Sequence, residues 1–107
     1  MAVITKEQIL AYLRELKPQL QKDGIEKIGL FGSYAKDKAS IFSDIDIVIA
    51  INDEFTKKFV GFEALIYLDD LRKKISRHFG VHANLCDSSG FRDDKKRQSV
   101  LQGAIYV

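Results

Sequence analysis

Two pairs of residues in the first half of the chain have the types and spacing to handle phosphate and a divalent cation. Gly32 and Ser33 end one apolar, strand-like segment, and Asp44 and Asp46 open a second one about ten residues later. Because glycine has no Cβ, a Gly-Ser bend lets backbone N–H groups approach a phosphate closely. Aspartates at positions i and i+2 of a strand point the same way, so both carboxylates reach one cation. Together the two pairs predict a site for a nucleoside triphosphate with magnesium.

The phosphate side of this site rests on the Gly-Ser bend. A helix that begins at Ser33 would direct free N–H groups and its positive dipole end at an anion, and Lys36 would add a mobile positive charge. The alternative interpretation is an ordinary strand-to-helix turn with Ser33 as the N-cap. Taken alone, the Gly-Ser pair favours that alternative.

The cation side rests on the two aspartates. Mg²⁺ prefers a few hard oxygen ligands and fills its other positions with water and substrate phosphate. Two such ions would clamp the attacking and leaving oxygens of a phosphoryl or nucleotidyl transfer. The alternative interpretation makes Ser43-Asp44 a turn and leaves Asp46 facing solvent. Aspartate is disfavoured in the middle of a strand, so Asp46, with the Gly-Ser bend upstream, favours the functional interpretation.

The elements that must position these residues alternate between helices and strands, which predicts a layered α/β domain of order αβ(short α)βαβα. Thr5 and Gln8 predict a capped helix start, Pro18 predicts a break or kink near Lys17, and Asp23-Gly24 predicts the end of that helix. The further predicted elements are a strand at 25–31, a turn and short helix at 32–38, a strand at 45–51, a long helix at 62–79 ended by Gly80, a strand at 81–86 and a helix at 93–104.

Composition limits what kind of protein this is. The 107 residues suit a single domain, 1–107, and 17 basic against 15 acidic residues give a net charge of +2. So small a net charge does not favour direct nucleic-acid binding or attachment to a membrane. The single Cys86 cannot form an internal disulfide, and no signal-like or membrane-spanning apolar run is evident. We therefore expect a cytoplasmic protein.

The run Gly32-Ser33, followed by Ser43-Asp44-Ile45-Asp46-Ile47, resembles the signature of the DNA polymerase beta-type nucleotidyltransferase superfamily. More narrowly, nearly the whole chain resembles the minimal nucleotidyltransferases, the antitoxin partners of HEPN-domain toxins in prokaryotic toxin–antitoxin pairs. The resemblance implies a mixed β-sheet flanked by helices. It implies that Gly32, Ser33, Lys36 and Ser43 bind ATP while the two aspartates hold Mg²⁺. It also implies transfer of AMP to a tyrosine hydroxyl of the toxin, which silences the toxin.

Two departures from the family pattern bear on activity. The pattern usually continues with Arg-Gly or Lys-Gly where this chain has Lys36-Asp37, which is a minor change. The family's third carboxylate, which would bind the catalytic metal and help to deprotonate the acceptor, matches Asn84 here. An amide carries no charge and cannot act as a base, and loss of a general base typically costs about 10²–10⁴-fold in rate.

The sequence therefore leaves more than one function open. The first is a nucleotidyltransferase that adenylylates a HEPN toxin with Asp44, Asp46 and Asn84 at the reacting centre. The second is a nucleotide-binding antitoxin that acts by complex formation because Asn84 has ended catalysis. A weaker third is a small-molecule nucleotidyltransferase, like those that inactivate aminoglycosides, completed by dimerisation. His78 and His82 lack partners at zinc spacing, so we expect surface or helix-end residues there.

Overall fold

The chain folds around a four-stranded mixed β-sheet in a computed structural model that describes residues 4–90 and 102–107. In chain order the elements are α1 (Lys6–Lys22), β1 (Ile25–Phe31), α2 (Gly32–Ala35), β2 (Ile45–Ile51), α3 (Asp53–Lys58), α4 (Phe62–Phe79), β3 (Ala83–Asp87), a 3-10 turn (Ser88–Gly90) and β4 (Ile105–Tyr106). The strand order across the sheet is β3-β2-β1-β4. Strands β2 and β3 are parallel, and the other neighbours are antiparallel. The mixed sheet with packed helices agrees with the expected α/β class.

The hydrophobic core lies between one face of the sheet and helices α1 and α4. Its members are buried apolar residues of these elements: Ile9, Leu13, Ile28, Leu30, Ile45, Ile47, Ile49, Leu71 and Ile75. The three buried isoleucines of β2 alternate with residues that point to the opposite side, so burying them turns Asp46 away from the helices. The alternation of β2 in the sequence thus decides which face carries the acid.

Helix α1 begins as predicted and continues past the predicted break. Thr5 and Gln8 form a reciprocal capping box, and the helix ends at the C-cap Asp23, followed by Gly24 at φ +99°. The expected break near Lys17 is wrong, because the helix runs through Pro18 without interruption. A proline removes one helical hydrogen bond, and the burial of Leu13 and Leu20 on either side holds the helix together across that loss.

Three further details differ from the sequence-based expectation. Helix α3 was not predicted; Asn52 caps it by accepting hydrogen bonds from the N–H groups of Glu54 and Phe55. Strand β3 begins two residues later than expected and extends to Asp87. Of the predicted final helix, residues 93–101 lie outside the described part of the chain. Residues 102–103, which were predicted to be helical, instead form a turn that leads into β4.

The short strand β4 completes the sheet beside β1. Gly29 pairs with Tyr106, and a Cβ at Gly29 would meet the backbone carbonyl of Ile105, so the two strands need a glycine at this point. The Lys17 ammonium donates a hydrogen bond to the Val107 carbonyl at 2.6 Å, which ties α1 to the last residue of the chain. Over the described residues, no helix has both the length and the apolar character needed to cross a membrane.

Candidate active site

One edge of the sheet collects the residues that the sequence analysis singled out. At this edge β1 ends while the parallel strands β2 and β3 begin. Asp46 of β2 is the register partner of Phe31 on one side and of Asn84 on the other. The N–H of Ile45 donates to the carbonyl of His82 at 2.9 Å, which aligns the starts of β2 and β3. Residues far apart in the chain therefore meet across three adjacent strands.

The two aspartates face the amide of Asn84. The Asn84 Nδ2 lies 3.1 Å from Asp46 Oδ1 and 3.4 Å from Asp44 Oδ2, and it donates to both carboxylates. Asp44 and Asn84 are exposed, and Asp46 is half-buried. Both carboxylates are therefore aimed at a single point near the surface, and an uncharged amide is their common partner.

Gly32 brings the backbone of β1 and α2 against this acidic pair. Its φ is +76°, a conformation that side chains rarely adopt. A Cβ at this position would lie 3.1 Å from the Asp46 Cγ and closer still to its Oδ2. Helix α2 begins at Gly32, so the glycine is required both for the bend and for the close approach of the backbone to Asp46.

The remaining residues predicted to bind nucleotide surround this point less tightly. Ser33 is half-buried in the first turn of α2, and Lys36 is the exposed C-cap of the same helix. No ion pair involves Lys36 within residues 4–90 and 102–107. Ser43 accepts a hydrogen bond from the N–H of Ser40 at 2.9 Å, so its hydroxyl holds the loop before β2. The structure thus gives Ser43 a local structural role beside the predicted one.

His82 is a neighbour of the site that the sequence analysis set aside. Its Nδ1 lies 3.6 Å from Asp44 Oδ2, and 59% of its side chain is exposed. It is a surface residue, as expected, but its surface is the rim of the acidic pair. The available signal was its position two residues before Asn84, since residues at i and i+2 of a strand share one side.

Two other candidates lie apart from the reacting groups. His78 stacks on Tyr12 with the ring centroids 3.7 Å apart, so it packs α4 against α1. Cys86 is half-buried on β3, and burial, assisted by the nearby Asp87 charge, raises the pKa of its thiol. A thiol with a raised pKa stays protonated and is a poor nucleophile at neutral pH.

The donor set at this edge suits a hard cation that is shared with a phosphate ligand. The described residues contain no group of three or more His, Cys, Asp or Glu side chains gathered as for a metal ion. The carboxylates of Asp46 on β2 and of Asp44 just before it nevertheless match Mg²⁺, which needs few protein ligands and completes its shell with water and phosphate oxygens. The residues present therefore fit Mg²⁺ arriving with a nucleotide better than a cation bound by protein alone.

Comparison with known proteins gives consistent matches over the length of the chain. Residues 7–107 match the family described as "Nucleotidyltransferase domain". The protein adenylyltransferase MntA of Thermococcus cleftensis is 28% identical over 108 residues, which cover 100% of both chains.

Solved structures share the fold at lower identity. A structure described as a candidate minimal nucleotidyltransferase has a TM-score of 0.72 at 22% identity and covers 98% of each chain. A toxin–antitoxin structure with AMP-PNP has a TM-score of 0.63 at 22% identity, and the match covers 96% of this chain and 72% of that one. These likenesses agree with the mixed sheet and flanking helices described above.

Proposed function

The chain belongs to the nucleotidyltransferase domain family, and we propose that it transfers AMP from Mg-ATP to a tyrosine hydroxyl of a HEPN-domain toxin. In this role it is the antitoxin of a toxin–antitoxin pair. The observation that carries the proposal is the meeting of Asp44, Asp46 and the Gly32 bend at one sheet edge. The end-to-end relative named a protein adenylyltransferase supports both the adenylyl group and a protein acceptor.

Each residue of the candidate site has its own role in the proposed reaction. Asp44 and Asp46 hold Mg²⁺, the backbone at Gly32 and the hydroxyl of Ser33 bind the triphosphate, and Lys36 neutralises phosphate charge. Ser43 keeps the loop before Asp44 in place and completes the nucleotide-binding set. Bound Mg²⁺ supplies charge neutralisation at the phosphates.

The transfer exchanges a phosphoanhydride bond of ATP for a phosphoester bond to the acceptor. The acceptor hydroxyl oxygen forms a bond to the α-phosphorus, the bond from that phosphorus to the β-bridging oxygen breaks, and pyrophosphate leaves. The hydroxyl proton passes to solvent water in this proposal, and Asn84 offers no base where the family's third carboxylate would stand. We therefore expect a slow reaction, below that of a complete site by about 10²–10⁴-fold.

A second function is supported by the hydrogen bonds of Asn84. Its amide donates to both carboxylates and so satisfies them without a cation. A chain in this state could bind nucleotide weakly and neutralise a toxin by forming a complex alone. In that case adenylylation would be absent, and the toxin would still be held.

One labelling experiment separates the two functions. The purified chain is incubated with Mg²⁺, ATP labelled at the α-phosphate, and HEPN-domain toxins of the source organism taken one at a time. Slow labelling of a toxin supports the enzyme if the labelling is lost in Asp46→Ala. An increase in the labelling rate of about 10²-fold or more in Asn84→Asp would identify the missing carboxylate as the cause of the slow reaction. Asp70→Ala, which removes an exposed acid of α4, is the matched control and should behave as wild type.

The opposite results are equally clear. Tight binding of a toxin without any label in the wild type or in Asn84→Asp would support the binding module. Label on the toxin that persists in Asp46→Ala would contradict the assignment of this edge as the reacting site.

A further inference from the structure

The loop that leads into β2 presents two large apolar side chains to solvent at the rim of the site. We refer to residues 40–43 as the rim loop. Ile41 is 70% exposed and Phe42 is 88% exposed, and Phe42 lies two residues before Asp44. An adjacent pair of exposed large apolar residues is a feature typical of binding surfaces when it stands beside a functional site.

The rim loop is held in shape by its two serines. The N–H of Ser40 donates to Ser43 Oγ at 2.9 Å, and the N–H of Ser43 donates to the Ser40 carbonyl at 3.1 Å. The N–H of Phe42 donates to Ser40 Oγ at 3.2 Å. The backbone is thus fixed with both apolar side chains outside, so little conformational freedom remains to be lost when something binds there.

We propose that the rim loop docks the apolar segment around the acceptor hydroxyl of the protein substrate, with Phe42 as the anchor. This inference rests on the proposed function, because it concerns the acceptor of that same reaction. The rim loop joins Asp44 directly, so a hydroxyl that reacts beside Asp44 would bring its neighbouring residues close to this loop. Aromatic anchors in such positions commonly dominate protein recognition.

The chemistry of the two side chains favours a protein segment over the triphosphate. Neither Ile41 nor Phe42 offers a donor or a charge to a phosphate, and both gain from burial against apolar side chains. A second group of exposed apolar residues follows the end of β2 opposite to Asp44: Val60, Phe62, Leu65 and Ile66. That group therefore supplies a control.

The test compares Phe42→Ala with Phe62→Ala, since these two phenylalanines are 88% and 81% exposed and their truncation leaves the core intact. Both changes are made in the wild type and in Asn84→Asp. We expect Phe42→Ala to weaken toxin binding measured by calorimetry, and to raise the KM for toxin, by about tenfold or more. Binding of Mg-AMP-PNP should not change, and Phe62→Ala should match its parent.

A crosslinking experiment measures contact with the toxin rather than the rate of labelling. Benzoylphenylalanine is incorporated at position 42 or, as the control, at position 62, and the toxin complex is irradiated. A crosslink from position 42 to a toxin segment close to the labelled hydroxyl supports the inference. A crosslink from position 62 alone, or from position 42 to a remote segment, overturns it.

The remaining outcomes separate this inference from the proposed function. If toxin is labelled and Phe42→Ala has no effect, the docking inference fails and the proposed function stands. If Phe42→Ala weakens the binding of Mg-AMP-PNP by as large a factor as it slows labelling of the toxin, the loop binds the nucleobase and the inference fails. If no toxin is labelled by any form, the proposed function fails and the docking inference fails with it.

Discussion

At residue position 84 an amide faces the acidic pair, and its hydrogen bonds explain how that pair is tolerated. Asp44 and Asp46 share a small, partly exposed region, and their like charges repel each other. Asn84 Nδ2 donates to both and offsets part of that repulsion. The same residue that would remove a base from the reaction therefore stabilises the protein when no cation is bound.

The first prediction concerns this exchange between stability and cation binding. Asn84→Asp removes two donated hydrogen bonds and adds a third negative charge, so without divalent cations it should lower the free energy of unfolding by about 1 kcal/mol. Addition of Mg²⁺ should restore that loss, whereas the wild type should respond less. Urea unfolding with EDTA or with Mg²⁺ measures both. Equal stability of the two proteins in EDTA would contradict the stabilising role of the Asn84 amide.

The second prediction concerns Gly32 and uses Gly80 as the comparison. Both glycines have positive φ, +76° and +67°, but a Cβ at Gly80 would meet nothing within 4 Å, whereas one at Gly32 would collide with Asp46. Each substitution to alanine should cost about 1–2 kcal/mol of stability from backbone strain. Only Gly32→Ala should also weaken Mg-AMP-PNP binding in calorimetry. Equal nucleotide binding by the two variants would show that the approach of Gly32 to Asp46 does not matter for the site.

At the scale of the elements, α1 and α4 are joined by a partly buried polar link as well as by apolar packing. The Tyr67 hydroxyl of α4 donates to Asp23 Oδ2, at the C-cap of α1, at 2.7 Å. That hydrogen bond is the main reason why the pKa of the Asp23 carboxyl is lowered. The pKa of the Tyr67 hydroxyl is raised, mainly by burial and secondly by the same hydrogen bond. The link therefore needs an ionised acid and a protonated phenol.

The third prediction is the pH dependence of this link. A lowered carboxyl pKa contributes stability above its ordinary value of 3.8, and that stability is lost as the pH falls through the lowered pKa. A raised phenol pKa contributes stability below 10.0, and that stability is lost at higher pH. Tyr67→Phe should therefore cost about 1–2 kcal/mol between these limits and less outside them.

Urea unfolding over a pH series measures the difference between Tyr67→Phe and the wild type. Tyr106→Phe is the matched control, because Tyr106 is 45% exposed, and we expect no pH-dependent difference from it. A cost for Tyr67→Phe that stays constant from acid to alkaline pH would exclude the ionised link.

At the scale of the whole molecule, the candidate site lies where three strands of the sheet meet, so binding of a ligand there would be coupled to folding. Gly32, Asp46 and Asn84 come from β1 with α2, from β2 and from β3, and the unfolded chain cannot hold them together. A ligand that binds only the folded chain stabilises it by mass action. This coupling gives a measurement of the site that needs no acceptor.

The fourth prediction is a thermal shift with Mg-AMP-PNP. At a ligand concentration of 100 times Kd the folded chain should gain about 2.7 kcal/mol. For a chain of 107 residues that gain corresponds to a rise in Tm of about 10 °C. The rise should vanish in EDTA and in Asp46→Ala but persist in Asp70→Ala. A full shift in Asp46→Ala would place nucleotide binding elsewhere.

The sequence by itself determined the local structure and the type of chemistry. The bounds of β1 and β2, the capping box of α1 and the glycine ends of α1 and α4 follow from patterns within a few residues, and each agrees with the structure. The side of β2 that carries Asp46 followed from strict alternation, since neighbouring side chains on a strand must point to opposite faces. The Gly-Ser and Asp-x-Asp spacing pointed to the family whose match covers residues 7–107.

The family resemblance implied that Asn84 joins the two aspartates, and the tertiary structure decided how these distant residues meet. Asn84 lies 38 residues from Asp46, and its amide reaches both aspartates because β3 joins β2 in parallel. Packing on both sides of Pro18 carried α1 past a residue whose local preference opposes a helix. The exposure of Phe42 at the rim likewise depends on how its loop closes. Such outcomes arise from strand order and packing between segments far apart in the chain, which no local pattern of residues encodes.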